Sequence, residues 1–338
     1  MRKSGTARPL PFTSVCDGKA IMASGHDIEI DLGTHVLERG CEIMDDVVRG
    51  RVYGNPDGPV IIVLGGISAT RFVCDGGKLD RGWWSRLVRE GGAIDLNRFK
   101  VIGYDFAPND GGLSCPETIT TTDQAARLKA LLDSQKIKTV AAIIGSSYGG
   151  MCALAFARDY PERVENLCII GAAHRPYPIG VGWRGIQRRL VRLGLDAGQP
   201  EAGLKLAREL AMTTYRTPEE FADRFDLEET AKGRFDICDY LGSRGDVFAA
   251  NMDARRFLAL SESIDLHRVE PESITTPTLL MTAISDQLAP LPDMRELRDR
   301  LGGKSELYTF TSLYGHDAFL KEYDAMDPRL AEFCNGLV

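Results

Sequence analysis

The residues best suited to chemistry sit in Gly145-Ser146-Ser147-Tyr148-Gly149-Gly150. An apolar run, 140–144, leads into this stretch, and a run of small residues, 151–157, follows it. Strand, sharp turn and helix are the context in which G-x-S-x-G holds a serine in a strained backbone conformation with its hydroxyl presented outward. Beside such a serine only glycine hydrogens fit, at Gly145 and Gly149. A helix that begins after Ser147 also aims its unpaired N–H groups, and the positive end of its dipole, at developing negative charge. A close-packed βα turn without chemistry is the other reading of the same residues, because short motifs recur by chance.

A serine hydroxyl is a weak nucleophile, so Ser147 needs a base, and the base needs an orienting acid. The chain has five histidines: His26, His35, His174, His267 and His316. His316 falls in a loop after the last strand-like run, and Asp286 falls directly after the preceding one. Taken singly, one is an ordinary loop histidine and the other an ordinary turn residue. Taken with Ser147, all three stand at the carboxyl ends of strands, and the order Ser, Asp, His is the one α/β-hydrolases use. The spacing therefore predicts a Ser147–His316–Asp286 triad. A tetrahedral oxyanion would need two donors, expected to be the N–H of Tyr148 and one from the first glycine loop, at Gly65 or Gly66.

The elements that must position these residues are legible as a pattern. Residues 27–31 and 47–53 read as a pair of half-buried strands, closed by the turn at 55–58. Runs at 59–64, 98–104, 140–144, 166–170, 277–283 and 306–310 read as strands, the internal ones apolar throughout. Helical spacing over 122–135 and 292–301 alternates with them. This alternation predicts an α/β-hydrolase fold, a mainly parallel sheet with helices on both faces. Residues 1–26 are polar and aperiodic and read as an N-terminal arm, followed by a loop-like stretch at 109–113 further on. From 174 to 270 the pattern is helical and charged with no convincing strand. It reads as a lid inserted into a core made of 27–173 and 271–338.

The bulk properties exclude several classes. A net charge of -7 over 338 residues argues against nonspecific nucleic-acid binding, which relies on Lys and Arg to neutralise phosphates. No apolar stretch approaches the ~20 residues needed to span a bilayer, and the first residues lack the apolar core of a secretory signal. The eight cysteines form no C-x-x-C pair, and the histidines do not cluster at metal-ligand spacing, so the cysteines read as reduced thiols of a cytoplasmic protein.

Beyond the elbow, the runs ARELAMTTYR at 207–216, EEFADRF at 219–225, NMDARRFLAL at 251–260 and GHDAFL at 315–320 resemble segments of the homoserine O-acyltransferase family. The likeness runs from about residue 40 to the C-terminus. It implies transfer of an acetyl or succinyl group from acyl-CoA to the hydroxyl of homoserine, in methionine biosynthesis, with acyl-CoA as co-substrate and no permanently bound cofactor. It also implies a homodimer. By motif position Arg208 is expected to hold the acceptor's α-carboxylate, assisted by Tyr215, with Asp317 on its α-ammonium. Arg216 is the rival to Arg208 if the register differs by one helix face. Arg175, Arg184, Arg188, Arg189 and Arg192 at the start of the lid read either as a landing site for CoA phosphates or as cations paired within the lid. A serine acceptor, an esterase or thioesterase on the same triad, and a silent binding protein of this fold remain open.

Overall fold

The computed structural model describes residues 25–75, 82–109 and 118–337. The expected N-terminal arm, apart from its last two residues, and most of the loop at 109–113 lie outside them. An eight-stranded sheet is built from β1 (His26–Val36), β2 (Glu42–Gly54), β3 (Val60–Leu64), β4 (Lys100–Tyr104), β5 (Ala142–Ser146), β6 (Leu167–Ile170), β7 (Thr278–Ala283) and β8 (Ser305–Phe310). Its spatial order is β1-β2-β4-β3-β5-β6-β7-β8. β2 is antiparallel to both neighbours, and the remaining pairs are parallel.

Parallel strands need crossovers, and these put helices on both faces. The central strands therefore had to be apolar on both sides, which is why they read as unbroken runs. Every residue of β5, β6 and β7 is buried. Edge strand β1 has only one buried residue, Ile28, among half-exposed and exposed neighbours. One cluster of buried side chains lies on each face of the sheet.

Between β4 and β5 runs α1 (Thr121–Ser134). Thr120 caps it, accepting from the Asp123 N–H while Asp123 returns the bond, so the helix starts one residue earlier than its periodicity suggests. Ala125, Leu128, Leu131 and Leu132 face the core. On the same helix Arg127 grips Asp46 of β2 through two bonds of 2.7 Å each, with side chains 2% and 1% exposed. The helix after the elbow is α2 (Tyr148–Asp159), buried over most of its length.

Between β6 and β7 the chain leaves the sheet for α3 (Pro178–Asp196), α4 (Pro200–Tyr215), α5 (Pro218–Arg224), α6 (Asp236–Ala249) and α7 (Ala254–Leu266). These helices have a core of their own, including Val191, Leu204, Phe248 and Phe257. α3 and α4 meet backbone to backbone. A Cβ at Gly203 would come within 2.8 Å of the Leu190 carbonyl oxygen and 3.2 Å of the Gly194 Cα. The expectation of a strandless insertion needs one correction. Glu229–Ala231 and Arg234–Phe235 pair as a two-stranded hairpin turning at Gly233. All five of its residues are exposed, so it has none of the apolar alternation that marks a strand. α8 (Leu291–Arg300) and α9 (Tyr323–Asn335) return to the sheet and complete the layers.

Candidate active site

β5 ends at Ser146, and the chain reverses at Ser147, whose backbone lies at φ 53°, ψ −121°. A non-glycine residue pays of order 1–3 kcal/mol for such a conformation. The surrounding glycines make it possible. A Cβ at Gly145 would come within 2.4 Å of the Gly149 carbonyl oxygen, and one at Gly149 within 2.5 Å of the Leu64 backbone. Ser147 is the one residue of 140–157 that is not buried. It occupies the N-cap position of α2 yet makes no capping bond, which leaves its hydroxyl free.

That hydroxyl lies 2.8 Å from His316 Nε2, and His316 Nδ1 lies 2.8 Å from Asp286 Oδ2. The other oxygen of Asp286 accepts the N–H groups of Leu288 and Ala289 at 2.8 and 3.0 Å, which fixes the carboxylate. Burial lowers the proton affinity of His316, but the charge of Asp286, its hydrogen bond and the charge of Asp317 reverse this, and the net shift is upward from 6.5. A base of this kind takes a proton from Ser147 and holds it as an imidazolium opposite Asp286.

The N–H groups of Ser147, Gly149 and Gly150 are all spent on carbonyls. That of Tyr148 has no partner among the described residues, and it opens the helix at the nucleophile. The two glycines of the first loop differ. Gly66 lines the pocket over Ser147, and a Cβ there would lie 4.0 Å from the Ser147 Cβ. Gly65 is buried behind it and accepts the Gly149 N–H through its carbonyl, so it braces the elbow.

α4 delivers Arg208 and Tyr215 to the same pocket. The Arg208 guanidinium lies 5.4 Å from the Tyr215 ring centroid and 5.2 Å from that of Phe248, and it has no carboxylate partner among the described residues. Arg216 is not among the lining residues of this pocket and bonds Glu220 at 2.8 Å and Asp317 at 3.2 Å. Asp317 lines the pocket with one oxygen already engaged by Arg216. The early lid arginines are mostly paired: Arg175 with Glu296 at 2.6 Å, and Arg184 and Arg188 with Asp265 at 2.6 and 2.7 Å. Arg189 is exposed and Arg192 half-buried. An open cationic landing surface is not what this group forms.

Sequence reasoning missed residues whose task depends on distant partners. Gly171, at φ +58°, follows β6, and a Cβ there would come 3.2 Å from Asp286 Oδ2. Gly315, at φ +53°, lets the histidine loop pass beneath the end of α4, where a Cβ would meet the Tyr215 carbonyl oxygen at 2.5 Å. Ser263 of α7 shares a 2.7 Å hydrogen bond with the Tyr148 hydroxyl. A glycine just past a strand was the only signal for the first; Gly315 stood in the GHDAFL run without a task, and Ser263 had no signal.

Residues 59–323 match the α/β-hydrolase fold family. A homoserine O-succinyltransferase of Xanthomonas campestris pv. campestris is 38% identical over 331 residues, which cover 95% of this chain and 88% of that protein. Among solved structures, a homoserine O-acetyltransferase from Bacillus anthracis superposes with a TM-score of 0.83 at 19% identity, covering 93% of this chain and 98% of that one. Esterase E22 superposes with a TM-score of 0.82 at 22% identity, covering 92% and 100%. Transferase and esterase thus share this fold almost equally, and the distinction rests on sequence and pocket.

Proposed function

The chain belongs to the homoserine O-acyltransferase family, built on the α/β-hydrolase fold, and from that premise we propose that it carries an acyl group from acyl-CoA to the hydroxyl of L-homoserine through an acyl-serine. His316 takes the Ser147 proton as the serine oxygen attacks the thioester carbonyl. The N–H groups of Tyr148 and the Gly66 loop receive the oxyanion, a contribution of ~2.7–4 kcal/mol per donor. The C–S bond breaks, and the CoA thiolate leaves with the proton from His316. The acceptor hydroxyl then gives its proton to His316 and attacks the acyl carbonyl; the Ser147 Oγ–C bond breaks, and His316 returns the proton to Oγ, which restores Ser147. Asp286 keeps His316 in the tautomer that both halves need.

The observation that carries transfer over hydrolysis is Arg208. It is half-buried in the pocket wall, stacked on Tyr215 and Phe248, and without a carboxylate partner among the described residues. A guanidinium fork in that setting suits a substrate carboxylate. The free oxygen of Asp317 suits the α-ammonium beside it. An esterase has no use for such a clamp. The product would serve methionine biosynthesis. A homodimer is proposed from the likeness to the family alone.

The test separates the two half-reactions. Rapid mixing with acyl-CoA and no acceptor measures the CoA burst, and homoserine or serine is then titrated in. Arg208→Leu should keep the burst and lose acceptor-dependent transfer by a factor of ~30 to several thousand, the equivalent of ~2–5 kcal/mol. Loss of the burst together with transfer would move Arg208 to the donor side. Wild-type CoA release that ignores every amino acid would leave a hydrolase instead.

A further inference from the structure

Two adjacent tryptophans that do not line the pocket reach both of the loops that bracket Ser147. Trp83 is half-buried and Trp84 fully buried, and their rings stack with centroids 5.3 Å apart at 23°. Their backbone is fixed, since the N–H groups of Trp83 and Trp84 donate to the carbonyls of Phe72 and Val73 at 3.1 and 3.0 Å. Trp83 serves the first glycine loop. Its Nε1–H donates to the Thr70 carbonyl at 3.0 Å, and its ring lies against Gly65, where a Cβ would come within 2.9 Å of Cζ2 and Cη2. Trp84 serves the other loop. Its Nε1–H donates to the Phe319 carbonyl at 2.9 Å, inside the turn Gly315–Leu320 that carries His316.

A buried indole with its N–H bonded is an ordinary core residue, and Trp84 alone would be read as one. What distinguishes the pair is where its contacts end. Phe319 closes the circuit between the two loops. Its ring stands at 78° to the His316 ring with centroids 5.9 Å apart, and its Cζ would lie 3.9 Å from a Cβ at Gly66. That same Cβ would lie 4.0 Å from the Ser147 Cβ. In the proposed reaction the Gly66 loop gives the second oxyanion donor and His316 is the base. The two groups that must meet one reacting carbonyl are thus spaced through Phe319 and backed by neighbouring residues of one short segment. The lid adds its own hold on the histidine turn, through Arg216 on Asp317 at 3.2 Å. A transition state needs base and oxyanion donor in place together, whereas a bound thioester needs neither. A misplacement of ~1 Å in such an arrangement can cost ~10²-fold in rate.

We propose that Trp83 and Trp84 are positioning residues: together they set the distance across Ser147 between the Gly66 loop and His316, and so the rate of acylation, without touching substrate. This rests on the acyl-serine reading above. The groups they hold do the same work in both half-reactions. His316 accepts the proton of the attacking oxygen and passes it to the leaving atom, the thioester sulfur in the first half and Ser147 Oγ in the second. The carbonyl oxygen meanwhile takes up negative charge between the Gly66 loop and the Tyr148 N–H.

The experiment puts 3-benzothienylalanine in place of Trp84, which keeps the ring shape and removes the N–H, beside Trp84→Phe and Trp83→Phe. Two rates are read on each protein. One is the CoA burst on rapid mixing with acetyl-CoA or succinyl-CoA without acceptor. The other is phosphonylation by a fluorophosphonate, in which the Ser147 Oγ–P bond forms, fluoride leaves and the serine proton passes to His316. Burst amplitude counts competent sites, so rates are compared per site. Each single change should slow both rates by about tenfold or more, while the half-saturating donor concentration stays within about twofold. Trp83→Phe combined with the Trp84 analogue should lose less than the product of the single losses, because the two residues act as a unit. The analogue keeps the packing, so it decides even where Trp84→Phe fails to fold. A lower melting temperature with per-site rates unchanged would make the pair structural only, and a raised half-saturation at unchanged rate would place it on the substrate side. Either result overturns the proposal, as do losses that multiply in the double variant. A wild-type protein that is phosphonylated but bursts with neither donor would defeat the acyl-CoA reading, and the phosphonylation rates would still decide the role of the pair.

Discussion

At His316 two opposing effects set the pH at which the site works. Burial favours the neutral ring, while Asp286, through charge and hydrogen bond, and Asp317 favour the imidazolium and prevail. The neutral ring is the base, so a raised value means that the inactive, protonated form persists to higher pH. The acid limb of the burst rate should therefore rise through a point above 6.5. Asp286→Asn removes the charge and leaves the burial, so the limb should move down in pH while turnover falls by ~10⁴ through the wrong tautomer. A pH profile that keeps its limb in place, or a loss below tenfold, would give the orienting role to another carboxylate. These three side chains were legible in sequence because each stands just past a strand, where a parallel sheet gathers its loops. Ser263 was not legible, because what defines it is a neighbour 115 residues away. Between Arg208 and Arg216 the sequence left a choice, and the contacts favour the first for the proposed role, since the second bonds Glu220 and Asp317.

At the scale of elements, the site is a joint between sheet and lid. α2 meets α7 through the Tyr148–Ser263 hydrogen bond, both side chains fully buried. The end of α4 meets the histidine loop through Thr217 on the Leu313 carbonyl at 2.6 Å and Arg216 on Asp317. Tyr148, the proposed oxyanion donor, is thus anchored to the lid by its own side chain. Tyr148→Phe deletes that anchor and leaves the Ser263 hydroxyl buried without a partner, a cost of ~1–3 kcal/mol. Thermal melting should show the loss. Ser263→Ala added to Tyr148→Phe should recover part of it, since neither partner then remains unpaired. Additive losses in the double variant would mean that the two hydroxyls do not depend on each other. The six later strands and the two sheet-side helices were read from periodicity to within about two residues, because burial on one or both faces imposes that periodicity, whereas β1 and β2, the half-exposed pair, each run five residues beyond their reading. The exposed hairpin in the lid escaped for the converse reason: a strand pair that buries nothing leaves no pattern.

Over the whole molecule, the division into a sheet core and a helical insertion follows from where unbroken apolar strands stop and amphipathic helices begin. What the pattern could not supply is how tightly the insertion closes. In the structure that closure depends on α3 and α4 packing without side chains between them at Gly194 and Gly203. α3 carries Arg184 and α4 carries Arg208 and Tyr215, so the spacing of this one helix pair sets the width of the pocket. An acyl-serine is attacked by water as readily as by a substrate hydroxyl unless water is kept out, and a transferase depends on that exclusion. Gly203→Ala places a methyl 2.8 Å from the Leu190 carbonyl oxygen and 3.0 Å from the Val191 Cα, so the helices must part. The sheet core, with its separate clusters and the Arg127–Asp46 pair, is untouched and should hold the fold. Acceptor-independent CoA release should rise severalfold while acceptor-dependent transfer falls, which lowers the fraction of acyl groups reaching homoserine at saturating acceptor. Product analysis after a fixed number of turnovers measures that fraction directly. A folded Gly203→Ala protein that partitions as the wild type does would show that the acyl-serine is shielded by the immediate pocket wall and not by the closure of the lid.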